Sequence, residues 1–357
     1  MRVPCRRLHP QLSAKGTRRP FQYSSSNSID DQHRSSHLDA LPGRLIVVRH
    51  GQSVWNKGSN QLERFTGWTN VGLSENGQRQ AVQAARKLHG YSIDCAYVSL
   101  LQRSQTTLRL MLEELNDQGR RSEGYDDLTT DIPVISSWRL NERHYGALTG
   151  QSKLQAEQLF GKAQLDLWRY SYKIPPPPMD PDTFSSWKHQ AHCQMATYIH
   201  HRHNRSRVIE KGNSVWDSSR AVMPRSEAFF DVLQRIVPLW KYGIAPRLAR
   251  GETVLLVGHA NSVKALLCLL DPHTVTPTSI GALKIPNTTP LVYQLIRDYP
   301  GASTSVPASF PVLGDLRVVI PPSNSTRYPL SGTWLEDPPV ARDAGTAVEE
   351  PNASVLG

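Results

Sequence analysis

At 357 residues the chain can bury a full core in one large domain or two. A hydrophobic content of 38% with 26 prolines implies irregular extensions around that core, and no apolar run is long enough to span a membrane. The net charge of +10 is partly lodged in residues 1–42, is otherwise dispersed and accompanies no nucleic-acid-binding motif, so neither a nucleic acid nor a membrane is expected as a partner.

The leader comes first. Arg2, Arg6, Arg7, Lys15, Arg18 and Arg19 precede any acid, and Ser24–Ser26 follow. Arg-rich, Ser-rich, acid-poor composition reads as a transit peptide for the mitochondrion or another organelle; the alternative is a disordered basic tail on a cytoplasmic protein. Cys5, Cys95, Cys193 and Cys268 have no paired spacing and read as free thiols of a reducing compartment. Asn204, Asn287, Asn324 and Asn352 begin N-x-Ser/Thr triplets, which carry no meaning without secretion.

Leu45-Ile-Val-Val-Arg-His-Gly51 is an apolar strand that ends in Arg49, His50 and Gly51. Open α/β sheets bind ligands just beyond the carboxyl ends of their strands. A neutral imidazole there can attack a phosphoryl group, and the adjacent guanidinium offers a fixed fork for phosphate oxygens. Ser74 can cap a helix toward Leu88 with Ala81, Ala84, Ala85 and Leu88 on one face. Asp94–Val98 is the next strand; its end leads to Arg103, on a helix predicted over Gln102–Leu115.

Trp138-Arg-Leu-Asn-Glu-Arg-His-Tyr-Gly-Ala-Leu-Thr-Gly150 is too polar for a core strand, and its Glu142 suits general acid/base work. His200-His-Arg-His203 sits in a basic insertion without Cys or carboxylate partners and reads as a solvated segment, so no metal site is expected. Ser226–Ala249 has a helical pattern that Pro238 and Pro246 should kink or divide. Val254-Leu-Leu-Val-Gly-His-Ala-Asn-Ser262 is a second apolar strand ending in a histidine, so His259 and His50 can face one ligand. A helix over Asn261–Leu270 and a strand over Thr289–Leu295 complete the alternation, which predicts a sheet with helices on both faces.

These pieces, in this order, resemble the 2,3-bisphosphoglycerate-dependent phosphoglycerate mutases of the histidine phosphatase superfamily. The resemblance rests on Arg49–Asn56, Arg64–Trp68, Leu73–Gly77, Trp138–Gly150, Trp168–Pro178, Met223–Glu227 and His259–Ser262, and spans most of Arg44 to about Tyr293. It implies that His50 becomes phosphorylated while Arg49, Arg103 and His259 surround the phosphoryl group. It assigns the substrate proton to Glu142. Asn56, Thr66 and Gly67 fall where the family contacts phosphate and substrate oxygens. Arg143, Tyr145, Lys153 and Arg169 fall where it holds the far end of the acid, and Asn261 follows the second histidine. Departures are Tyr170 and Lys264 where arginines are usual, Ala260 for glycine, a longer Lys57–Glu63 loop, and an insertion before Met223.

The expected fold is therefore a three-layer αβα sandwich with a mostly parallel sheet, of the phosphoglycerate mutase type. Residues 1–42 are the leader, 43–298 the catalytic domain, and 299–357 a Pro/Ser-rich insertion and C-terminal segment, in which Gly332–Pro338 resembles the start of the family's C-terminal segment. The expected activity is interconversion of 3- and 2-phosphoglycerate, primed by 2,3-bisphosphoglycerate, with no metal, acting on small phosphorylated acids, in a homodimer. A bisphosphoglycerate mutase or phosphatase on the same scaffold, or a catalytically inactive basic scaffold protein, are the alternatives.

Overall fold

A computed structural model describes residues 42–56, 63–123, 132–187, 223–297, 309–312, 316–319 and 330–335. The leader, most of the Lys57–Glu63 loop, the His200–His203 cluster, Asn204, Asn324, Asn352, Cys5 and Cys193 lie outside those residues.

Strands β1 (Gly43–Arg49), β2 (Cys95–Val98), β3 (Val134–Ser136), β4 (Thr253–Gly258), β5 (Leu291–Arg297), β6 (Ser309–Val312), β7 (Leu316–Val319) and β8 (Thr333–Trp334) form one sheet. Its order is β3-β2-β4-β1-β5-β7-β6, with β8 on β5. The four strands from β3 to β1 run parallel, and β5 and the strands beyond it pair antiparallel. β6 and β7 lie within the stretch read as an insertion, and extend the sheet edge on β5.

The near-continuous apolar runs of β1 and β4 follow from burial on both faces. Side-chain alternation divides β1 between two cores. Leu45 and Val47 face Phe229, Val232, Ile236 and Leu266, whereas Ile46 and Val48 face Ala81, Ala84, Ala85, Leu88, Leu108 and Met111. The first group comes from α6 (Phe229–Leu239) and α8 (Ala260–Leu270). Apart from Leu88, the second comes from α1 (Glu75–Arg86) and α2 (Gln102–Glu123). Helices therefore cover both faces of the parallel half, the three-layer arrangement that the alternation implies. Each buried Leu, Ile or Val contributes about 1.5–3 kcal/mol.

Several local features match the sequence reading. Ser74 caps α1, its Oγ accepting from Gly77 N at 3.1 Å. The helical pattern over 226–249 is divided: α6 ends at Leu239, a wide π turn spans Trp240–Ile244, and Pro246 sits in the first turn of α7 (Ala245–Leu248). α6 begins later than Ser226 because Ser226 Oγ donates to Pro176 O and the next residue, Glu227, is drawn into an ion pair. α2 continues past Leu115, with no proline to stop it. Helices α3 (Lys153–Phe160) and α4 (Lys162–Tyr170) and a short α5 (181–187) fill the connection after Gly150. Among the described residues no helix is long and apolar enough to cross a membrane.

Candidate active site

The register of the sheet builds the site. Arg49 pairs with Gly258 across β1 and β4, and Val98 pairs with Val257 across β2 and β4. The next residues, His50, His259 and Ser99, therefore leave three neighbouring strands at one carboxyl edge. The two imidazoles come together with centroids 4.9 Å apart, and His259 Nε2 bonds Ser99 Oγ at 2.7 Å.

The bonds of His50 define its tautomer. Nδ1 lies 2.7 Å from Gly51 O, a carbonyl that can only accept, so Nδ1 carries the proton. Nε2 then presents a lone pair and accepts from Arg103 Nε at 3.3 Å. Burial, then Arg103 and Arg49, hold His50 well below the ordinary histidine range. Burial, then Arg103 and His50, do the same to His259. His50 is thus neutral at neutral pH, in the form that can act as a nitrogen nucleophile. Its carbonyl accepts from Asn287 Nδ2 at 2.6 Å.

Cations surround this nucleophile. Arg103 is fixed by the carbonyls of Thr69 (2.9 Å) and Gly67 (2.8 Å), and Arg49 by Ile285 O (2.7 Å). Burial lowers Arg49, and brings Arg103 down to about 10, which leaves Arg103 charged at neutral pH. Arg49 Nε, Arg143 Nε and Nη1, and His259 Nδ1 are buried without a hydrogen-bond partner among the described residues. Buried donors are normally satisfied, so the unpartnered guanidinium nitrogens of Arg49 and Arg143 are suited to an anion's oxygens.

Glu142, only 8% exposed, is the carboxylate of the site. Its Oε1 accepts from Arg143 N (2.7 Å), Asn261 Nδ2 (2.7 Å) and Asn261 N (3.3 Å). Asn261 Nδ2 also donates to Tyr145 OH at 3.1 Å, and the Arg143 guanidinium lies 4.7 Å over the Tyr145 ring. Gly67 adopts a left-handed φ of +49°, in a place where a Cβ would lie 3.4 Å from Arg143 O. His50, Arg49, Arg103, His259, Glu142, Arg143, Tyr145, Asn261 and Gly67 thus form one connected cluster.

The other named residues have local partners. Lys153 Nζ pairs with Glu63. Arg169 lies 4.8 Å over the Tyr170 ring and 3.8 Å from Asp166, and gives its carbonyl to Arg143 Nη2 at 3.1 Å. Asn56 Oδ1 accepts from Ser53 N and Oγ, and Thr66 Oγ1 donates weakly to Arg64 O at 3.4 Å.

Sequence reasoning missed Ser99, Asn287, Arg235 and the position of Lys264. Lys264 Nζ donates to Ile280 O at 2.9 Å, and burial, then Arg143, lower it to about 7. Asn287 was read only as the start of an N-x-Ser/Thr triplet, and nothing in the sequence singled out Arg235. Glu227 stood in a quoted motif without a role. Among the described residues no group of three His, Cys, Asp or Glu is placed to hold a metal ion.

A strand-end histidine nucleophile amid guanidinium groups is phosphoryl-transfer architecture, and residues 45–209 match the histidine phosphatase superfamily, branch 1. That stretch is what the chain shares with the superfamily. Members of that superfamily are phosphatases or mutases. The matched stretch holds His50, Arg103 and Glu142 but stops short of His259, which β4 brings back to the domain's site. Among solved structures, the chain is similar to mycobacterial hydrolase 1 (21% identity, covering 77% of this chain and 95% of that one, TM-score 0.49). It is also similar to a mycobacterial glucosyl-3-phosphoglycerate phosphatase (22%, 70% and 89%, TM-score 0.45). A third is the phosphoglycerate mutase from Bacillus anthracis str. Sterne (19%, 72% and 90%, TM-score 0.45).

Proposed function

We propose that this histidine phosphatase domain is a phosphoglycerate mutase, an isomerase that interconverts 3- and 2-phosphoglycerate through phospho-His50. The observation that carries the reading is the set of buried guanidinium nitrogens of Arg49 and Arg143 that have no partner among the described residues. Arg49 and His259 lie by the nucleophile, and Arg143 lies beside Tyr145 and Asn261. One end suits a phosphoryl group, and the other a second anionic group such as a carboxylate.

In this reading the Nε2 lone pair of His50 attacks phosphorus while Arg49, Arg103 and His259 take up the charge on the equatorial oxygens. The P–O bond to the substrate oxygen breaks, and Glu142 delivers the proton that this oxygen needs. In the reverse step Glu142 removes a hydroxyl proton as that oxygen attacks phospho-His50. The same donors fit 2,3-bisphosphoglycerate, which Arg49, Arg103, Arg143 and His259 would hold and which would supply the priming phosphoryl group.

A phosphatase on this scaffold is the second reading, and two observations favour it. Tyr170 replaces a cation usual in the mutases, and Lys153 is engaged by Glu63. Both reduce the hold on the far end of the acid and ease its exchange for water. Supplying 3-phosphoglycerate with and without catalytic 2,3-bisphosphoglycerate separates the two. Primer-dependent 2-phosphoglycerate supports the mutase. Release of free phosphate without 2-phosphoglycerate overturns it in favour of the phosphatase.

A further inference from the structure

The segment that carries Glu142 makes few backbone bonds of its own, because Asn141–Tyr145 lie in neither helix nor strand. It is nonetheless buried, and buried carbonyls must find donors. One side chain supplies those of Asn141 and Glu142, and that of Arg139 just before them. Arg235 on α6 donates through Nη2 to Asn141 O (2.9 Å) and Glu142 O (3.0 Å), and through Nη1 to Arg139 O. Its remaining edge grips Glu227: Nε to Oε1 at 2.7 Å and Nη2 to Oε2 at 3.2 Å. Glu227 Oε2 in turn accepts from His144 N at 2.8 Å. Trp68 Nε1 adds a second donor to Glu142 O, and the Arg235 guanidinium lies 5.7 Å over the Trp68 ring.

A buried ion pair, helped by Trp68, thus holds the segment from Arg139 to His144. Buried pairs add little net stability compared with well-packed apolar residues, so stability does not account for this one. What it does supply is a fixed position for the backbone of Glu142, while Arg143 N and Asn261 orient the carboxylate from the other side. We infer that Arg235 and Glu227 are positioning residues for the proton-transferring carboxylate, acting through the Glu142 carbonyl without touching substrate. The inference rests on the phosphohistidine reading and is independent of whether the enzyme is a mutase or a phosphatase.

Proton delivery matters in proportion to the basicity of the leaving oxygen. An alkoxide needs the proton from Glu142 as the P–O bond breaks; a nitrophenolate does not. A misplaced Glu142 should therefore slow phosphorylation of His50 by an alkyl phosphate and spare phosphorylation by p-nitrophenyl phosphate. A general loss of structure would slow both equally.

The test is single-turnover formation of phospho-His50 from 2,3-bisphosphoglycerate and from p-nitrophenyl phosphate. It compares the parent enzyme, Glu142→Gln, Arg235→Lys and Glu227→Gln. Arg235→Lys keeps a charge opposite Glu227 but loses the fork. A catalytic group misplaced by 1 Å can cost about 10²-fold. The alkyl reaction of Arg235→Lys should fall by about that factor, with the aryl reaction near the parent rate, in the pattern of Glu142→Gln. Equal losses for both substrates, or no loss for either, would overturn the inference. Should Arg235→Lys not fold, Glu227→Gln, which retains the volume and one acceptor, is read by the same two criteria. A parent enzyme that forms no phosphohistidine from either substrate would instead defeat the reading of the site.

Discussion

At the scale of single residues, the chemistry depends on which nitrogen of His50 is free. The Gly51 carbonyl holds the proton on Nδ1, so the lone pair that the proposed phosphoryl transfer would use is on Nε2, on the side of Arg103. Incubation with 2,3-bisphosphoglycerate should give an acid-labile, base-stable phosphoprotein, and His50→Ala should give none. Labelling that persists in that variant would remove the assignment. Glu142→Gln keeps shape and hydrogen bonding but does not carry the proton. Its turnover of 3-phosphoglycerate should fall by about 10²- to 10⁴-fold, the usual contribution of a general acid/base. Near-normal turnover would transfer the role to His259. Arg143 shows why a residue's neighbours matter as much as its type. Two of its nitrogens are buried without partners among the described residues, so they are open to an anion, whereas Lys153 is engaged by Glu63.

At the scale of elements, α1 and the turn after His50 are one unit. A Cβ on Gly77 would lie 2.0 Å from Gln52 O, and one on Gly51 would lie 2.3 Å from Gly77 O. Ser74 ties the same parts together, its Oγ donating to Gln52 Oε1 at 2.8 Å while capping the helix. Only glycine permits this backbone-on-backbone approach, because any side chain would displace the turn that carries Gly51 O, the acceptor for His50 Nδ1. Gly77→Ala should therefore destabilise the fold by about 1–3 kcal/mol, the range for overpacking. It should also slow phosphorylation of His50. Urea unfolding and the labelling assay check the two effects, and a variant with parent stability and rate would show that the contact is slack.

At the scale of the molecule, the fold buries three histidines, His50, His259 and His144. His50 and His259 are held well below the ordinary range by burial first, and His144 is lowered to about 4 for the same reason. In the unfolded chain each returns to about 6.5. Below that pH the unfolded chain binds protons that the native state refuses, so stability is full above it and declines as pH falls, toward about 4 for His144. Lys264, lowered from 10.5 to about 7, acts with the same sign in a higher window. The urea midpoint should therefore fall between about pH 7 and about pH 4.5. A midpoint that is flat across that interval would show that the histidines take up protons in the native state.

Much of this protein was legible in the chain alone, wherever the signal is local. The apolar runs that end at His50 and His259, the Ser74 cap, the alanine face of α1 and the interruption of the 226–249 helix each follow from spacing, period or a missing N–H. The Trp138–Gly150 stretch announced Glu142 because so polar a segment has little reason to be in a core. The tertiary structure decided what depends on distant partners. β4 slots between β1 and β2, and only that crossover brings His259 within 4.9 Å of His50. Arg235 reaches carbonyls more than ninety residues earlier in the chain, and Asn287 reaches the His50 carbonyl from 237 residues away. A sequence records the period that turns a side chain inward. Which buried group it then meets is set by how the layers pack, because each buried polar atom must be satisfied by whatever element lies against it.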